Sequence, residues 1–259
     1  MKTTTWIAGF MMAGTVLLAT SCACNKNTWS FSDEDMVNEV RNLKDFERIE
    51  VNGSPTVHFT QADSFSVVVN APNDIIEDII TEKQGNTLVV RNRGKMGIFN
   101  VSFNGDAEMA VYVTSPDLVD VLVNGSGDFL CDGSIDTDKI DITLRGSGDI
   151  NIRDLICDRC KVELIGSGDV SLDRLEAKEV TGLLIGSGDL DMKLRKVDDT
   201  RLALKGSGDI EAGFADGCRS VECQLQGSGD ISLSGRVAHF KGDKNGSGDI
   251  SIDELLVDK

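Results

Sequence analysis

"LLIGSGDLDM" (residues 183–192) and "LALKGSGDIEA" (residues 202–212) share a four-residue unit, GSGD, set between alternating apolar and polar residues. Its first glycine recurs at Gly125, Gly146, Gly166, Gly186, Gly206, Gly227 and Gly246, in steps of 21, 20, 20, 20, 21 and 19 residues. A nearly fixed period of this length is the mark of a solenoid, in which no single repeat can bury an apolar face and stacked neighbours supply the core.

Parity around the unit indicates how each turn is built. Directly after GSGD come Phe129, Ile150, Val170, Leu190, Ile210, Ile231 and Ile250, and two residues later Cys131, Ile152, Leu172, Met192, Ala212, Leu233 and Ile252. The residues between them are Leu130, Asn151, Ser171, Asp191, Glu211, Ser232 and Ser251, six of the seven polar. A period of two describes a strand with one face buried. Two residues before the unit the apolar positions resume at Val123, Leu144, Leu164, Leu184, Leu204 and Leu225, failing at Lys244. A further apolar cluster falls in mid-repeat, as at Leu155 and Ile156, which allows three short strands per turn. The chain is therefore expected to be all-β, a right-handed parallel β-helix with turns of about 20 residues. Seven turns at about 4.8 Å each would make a rod of roughly 34 Å.

A faded copy of the repeat precedes the regular ones: "EVNGSPTVHF" (50–59) aligns with "LVNGSGDFLC" (122–131), placing Val57, His58 and Phe59 at strand positions. Longer inserts follow, so residues 45–116 are expected to form a less regular β region continuous with the repetitive solenoid of residues 117–259. Asp74 to Thr81 is the one stretch there that suggests a helical turn.

At the start of the chain, Lys2 precedes an uncharged apolar run from Trp6 to Leu18, and small residues then lead to Cys22. This is the pattern of a lipoprotein signal peptide, residues 1–21, with Cys22 as the lipidated residue. The run is shorter than the roughly 20 residues of a membrane span. Residues 22–44 read as a tether, in which Ser32 and Asp35 offer a capping box for a short helix through Met36, Val37, Val40 and Leu43, or else as a cap on the end of a sheet. Lipid anchoring in the cell envelope, at the outer membrane, follows as an expectation.

The whole chain carries 26 basic and 43 acidic residues. Loss of residues 1–21 removes one base, leaving 25 against 43, a net charge of −18. Such a surface repels phosphate backbones and argues against a nucleic-acid partner. Beyond Cys22 and Cys24, a second and weaker candidate for lipidation, five cysteines remain: Cys131, Cys157, Cys160, Cys218 and Cys223. Cys157 and Cys160 form a lone C-x-x-C with no second pair to complete a zinc site, and buried free thiols are the expected state.

Equal parity through GSGD puts both glycines inward and serine and aspartate outward. The unit then reads as a bend, with the aspartate accepting backbone hydrogen bonds. Asp128, Asp149, Asp169, Asp189, Asp209, Asp230 and Asp249 would form a ladder, neighbouring carboxylates repelling by about 0.9 kcal/mol in water. They are the candidate Ca²⁺ ligands, since other Gly-Asp repeats hold that ion between turns. Catalysis finds little support. His58 and His239 are the only two histidines and neither lies in a recognised catalytic motif, while a 5% aromatic content leaves few platforms for sugar rings.

"RNLKDFERIEVNGSPTVHF" (41–59), "GNTLVVRNR" (85–93), "AVYVTSPDLVDVLVNGSGD" (110–128) and the later GSGD turns together resemble the family described as "putative auto-transporter adhesin, head GIN domain". The resemblance spans residues 41 to 259. It implies a β-helical protein of the cell envelope with an adhesive or scaffolding role, and it supplies no catalytic residues. The expected function is non-catalytic adhesion, binding of a glycan or protein, or scaffolding. The alternatives are a calcium-stabilised rod and a polysaccharide-acting enzyme. The final turn (Ile250, Ile252, Leu255, Leu256 and Val257) is a candidate homodimer edge.

Overall fold

The computed structural model describes residues 28–31, 35–93, 100–103 and 109–257. The signal segment and Cys22 lie outside the described residues.

Each GSGD unit joins two stacks of parallel strands. The stack leading into the unit runs Thr87–Asn92, Arg48–Gly53, Asp120–Gly125, Lys139–Gly146, Arg159–Gly166, Glu179–Gly186 and Val197–Gly206, and then the second halves of Ile210–Gly227 and Ile231–Gly246. The stack leaving it runs Ala110–Ser115, Thr56–Gln61, Phe129–Asp136, Ile150–Ile156, Val170–Glu176 and Leu190–Arg195, then the first halves of those two long strands, and Ile250–Val257. This is the expected all-β solenoid of roughly 20-residue turns.

Register follows the sequence period without slippage through the corners, Gly146 pairing with Gly166 and Gly186 with Gly206. The aligned N-terminal copy is a full turn of the same stack. Gly125 lies opposite Gly53, Val123 opposite Val51 and Phe129 opposite Val57.

Within a turn there are two strands rather than three, but the first is bent. Ile150 and Ile152 are inward by a period of two, and the next buried side chain is Leu155, three residues on. That change of parity turns the chain onto a new face without ending the strand. In one turn Ile150, Ile152, Leu155, Cys160, Val162 and Leu164 are all 1% exposed or less, and they join a single core running from Phe46 to Leu255. The cysteines occupy the same inward places. Cys131 pairs with Ile152, Cys160 lies between Ile140 and Val180, and Cys223 pairs with Leu202. All five are free and buried, behaving as small apolar side chains.

The N-terminal region departs from chain order. The turn made by Thr87–Asn92 and Ala110–Ser115 stacks outside the turn made by Arg48–Gly53 and Thr56–Gln61, although it comes later in the chain. Antiparallel strands then close this end: Ile79–Gln84 covers Thr87–Asn92, Ser66–Pro72 covers Ala110–Ser115, and Met36–Val40 covers Ser66–Pro72. The helix expected through Met36 and Val40 is thus a strand. Its alternation lets Asn38 and Val40 lie beside Asn70 and Val68, and sheet pairing outweighs a weak helix-start signal. The helical turn expected at Asp74 to Thr81 is one 3-10 turn, Ile76–Asp78, followed directly by a strand. A second small sheet pairs Thr28–Phe31 with Asn100–Phe103.

Candidate functional site

The GSGD corner is a closed hydrogen-bonding system. The carbonyl of Gly146 accepts from both Ser167 N–H (2.9 Å) and Gly168 N–H (3.2 Å), and the same fork repeats in the following turns. The aspartate completes it. Asp149 N–H donates to Asp128 Oδ1 at 2.9 Å, Asp169 N–H to Asp149 Oδ1 at 3.1 Å and Asp189 N–H to Asp169 Oδ1 at 2.9 Å. Asp209, Asp230 and Asp249 continue the ladder to the last unit. Each carboxylate below the top therefore holds a main-chain N–H of the next turn, a charge-assisted bond that offsets the repulsion along the ladder.

The stack also explains the glycines. The first glycine of each unit has φ between +131° and +148°, and the second is buried against the turn below. A Cβ on either would collide with a carbonyl oxygen of the turn beneath it, that of Pro55 under Gly127 and of a glycine under every other. The serines stay outward and exposed. Among the described residues, no group of three or more His, Cys, Asp or Glu side chains converges as metal ligands would. The ladder spreads Asp128 to Asp249 along the rod, one per turn.

The thiols are equally closed. Burial pushes the Cys131, Cys218 and Cys223 thiols up, Cys223 to about 12. Cys160 is held well above the ordinary range by hydrogen bonding to the Cys157 thiol and by burial. Cys160 is therefore not a ready nucleophile.

A different feature stands out on the outward side of the stack that leaves the corner. Register places Val40 beside Val68, Val68 beside Tyr112, Tyr112 beside His58 and His58 beside Leu130, one continuous row across five strands. Tyr112 is 47% exposed and Val40 75%. The His58 and Tyr112 rings stack at 5.1 Å with 18° between their planes. On the first four of these strands the outward neighbours are uncharged: Asn38 and Asn70 on one side, with Thr56 buried beside them, and Ser66, Thr114 and Thr60 on the other; on the fifth, Leu130 is flanked by Asp128 and Asp132. Asn70 Nδ2 donates to Asn38 Oδ1 at 2.8 Å. The result is a neutral apolar and aromatic stripe on a strongly acidic protein. Higher up the same stack the row continues as Asn151, Ser171, Asp191 and Glu211, and its character is lost.

Sequence reasoning did not assemble this stripe. Its trace was Leu130, the one apolar residue among the seven outward positions after GSGD, aligned with His58. Tyr112, Val68 and Val40 join them only through the out-of-order turn and the antiparallel cap.

Comparison with known proteins agrees with this architecture. The profile of the family described as "putative auto-transporter adhesin, head GIN domain" matches residues 45–216 and 186–259. Among solved structures, a "putative adhesin" from Bacteroides fragilis NCTC 9343 superposes with a TM-score of 0.73 at 21% identity, over 88% of this chain and 99% of that one. A "putative lipid binding protein" from Parabacteroides distasonis ATCC 8503 gives 0.62 at 20% identity, over 88% and 96%. A "putative adhesin" from Parabacteroides merdae ATCC 43184 gives 0.64 at 13%, over 90% and 100%. At these identities the likenesses establish the fold alone. Among curated proteins, none matches the sequence.

Proposed function

This chain belongs to the family described as "putative auto-transporter adhesin, head GIN domain", and from that premise we propose that it is a non-catalytic adhesion module of the cell envelope. Its contact surface is the row from Val40 to Leu130. The observation that carries this reading is the stacked His58–Tyr112 pair at the centre of that row. At its centre, an aromatic platform flanked by neutral amides and hydroxyls suits a glycan or a protein surface, because it offers apolar area and hydrogen bonds with acidic groups only at the Leu130 end. The name of the Bacteroides fragilis neighbour points the same way. Localisation is proposed through the signal of residues 1–21, with Cys22 acylated at the outer membrane and the tether, expected over residues 22–44, confined to the segment before the paired strand Thr28–Phe31.

The described core begins at Phe46 and the first described strand at Thr28, so removing residues 1–22 removes no described contact. That shortened chain, applied to glycan and protein arrays, is expected to be retained. Tyr112→Ala is expected to lower retention by at least about tenfold, as truncation of a central aromatic anchor does. Retention unchanged by Tyr112→Ala and by His58→Ala would rule out this surface. Anchoring is tested separately by labelling cells with an alkyne fatty acid: label is expected on the full chain and absent from Cys22→Ala.

A further inference from the structure

The other stack carries a surface of opposite character. On the outward side of the four strands Lys139–Gly146, Arg159–Gly166, Glu179–Gly186 and Val197–Gly206, register aligns Arg145, Ile165, Ile185 and Lys205 in one row. In the adjacent row Glu163 stands beside Ile165, Leu183 beside Ile185 and Ala203 beside Lys205. Ile185 is 36% exposed, and Ile165, Leu183 and Ala203 are half-buried. A shallow hollow of about 260 Å³ opens alongside, between Leu183, Ala203 and Gln224. An apolar patch is thus bracketed by a cation at either end of its row.

The charge balance of this face is inverted relative to the rest of the protein. Its exposed and half-buried positions hold six bases (Lys139, Arg145, Arg159, Lys161, Arg201 and Lys205) against five acids (Asp141, Glu163, Glu179, Asp198 and Asp199). The chain as a whole has 26 against 43. Glu163 serves two of the bases, with Lys161 at 3.2 Å and Arg145 at 3.9 Å, and Arg159 meets Glu179 at 3.3 Å. Lys139 and Lys205 stand in no ion pair among the described residues.

We propose that this face docks on an anionic lipid bilayer. A small ligand would need a concave site that encloses most of its surface, and a pleated sheet with one open hollow does not provide one. A planar partner suits the face. Ile165 and Ile185 enter the boundary between headgroups and acyl chains, while Arg145 and Lys205 extend their charged ends to the headgroup phosphates. The cationic rim complements anionic headgroups and would otherwise be rare on this protein. Docking in this way leaves the His58–Tyr112 row free, because that row belongs to the other stack.

The assignment is independent of acylation at Cys22, and the test removes that residue. The chain lacking residues 1–22 is sedimented with vesicles of phosphatidylcholine alone and of an equal mixture with phosphatidylglycerol. Binding is expected to the mixed vesicles and to fall as salt is raised. Each basic residue near such a surface contributes roughly fivefold in affinity, so combined Arg145→Glu and Lys205→Glu should weaken binding by at least about tenfold. Ile165→Ser with Ile185→Ser should weaken it too, with circular dichroism and unfolding midpoints showing that the variants fold. Glu211→Ala, on the other stack, should bind as the parent does. No preference for the anionic vesicles, or full binding by the charge-reversed variant, overturns the proposal. So does a dimer, seen without vesicles, that Ile185→Ser dissociates, since the face would then be a contact between two copies.

Discussion

Gly168 sits between Gly148 and Gly188 in the corner stack, and its Cβ would fall inside the van der Waals radius of the Gly148 carbonyl oxygen. Backbone cannot move aside as a side chain can, so Gly168→Ala is expected to destabilise by about 3 kcal/mol or more in urea unfolding. Gly133, with open space around its Cα, should accept alanine within about 0.5 kcal/mol. A second single-residue outcome concerns Asp120. Burial raises its pKa, the approach of Arg48 opposes this, and the carboxylates of Asp141, stacked on it, and of nearby Glu50 add to the rise. A carboxylate whose folded pKa lies above its unfolded value binds its proton more tightly when folded. Its contribution to stability is fully present below the unfolded pKa and is lost as pH rises through the raised one. Asp120→Asn should therefore stabilise the protein near pH 7, by about 1 kcal/mol or less because the group is half-exposed, and the gain should vanish in acid below the ordinary aspartate pKa. Paired melts of parent and variant across that range check the sign.

Strands differ in how many neighbours they have, and hydrogen exchange should read that difference. Arg159–Gly166 and Glu179–Gly186 are paired along both edges for their full length. Among the described residues, Phe240–Gly246 and Ile250–Val257 are paired along one edge only. Their inward places are also weaker: Gly242 and Lys244 are exposed where other turns place buried aliphatic residues, and Lys244 turns to Asp249 instead. Amides of residues 240–257 are expected to exchange by local opening, and those of 159–204 only by global unfolding. Much of this was legible in advance. Alternation on both sides of GSGD places nearly every strand of the repeats, and the alignment of residues 50–59 with 122–131 gives the register of the first turn. The antiparallel cap was legible only as one of two alternatives. Val37, Asn38 and Val40 carry a pattern short enough to suit either a helix or a strand, and Val68 and Val69 decide between them from a distance in sequence.

For the molecule as a whole, the distribution of thiols makes a reporter of integrity. Cys131, Cys157, Cys160, Cys218 and Cys223 occupy inward places from the second half of the N-terminal side to the last turns. Burial raises Cys131, Cys218 and Cys223, so little thiolate forms near pH 8. Iodoacetamide should leave all five unmodified under native conditions and label all five together in urea, as read by intact mass. Stepwise labelling that begins at Cys218 and Cys223 would show instead that the upper turns open independently, which a one-dimensional stack permits. The two outward faces complete the picture: a neutral aromatic stripe on one stack and a basic apolar patch on the other, both on a rod whose corners are lined with aspartate.

The period of GSGD dictated the solenoid, because a glycine pair that tolerates no Cβ and an aspartate that reaches the next turn make sense only when identical corners are stacked. The same period dictated which residues face inward, since parity in a strand is a local property. What the outward surfaces become was decided by the tertiary structure. Rows such as Val40, Val68, Tyr112, His58 and Leu130 are assembled across strands far apart in sequence, one of them antiparallel and one out of chain order, and nothing local in the chain encodes which outward side chains will stand side by side.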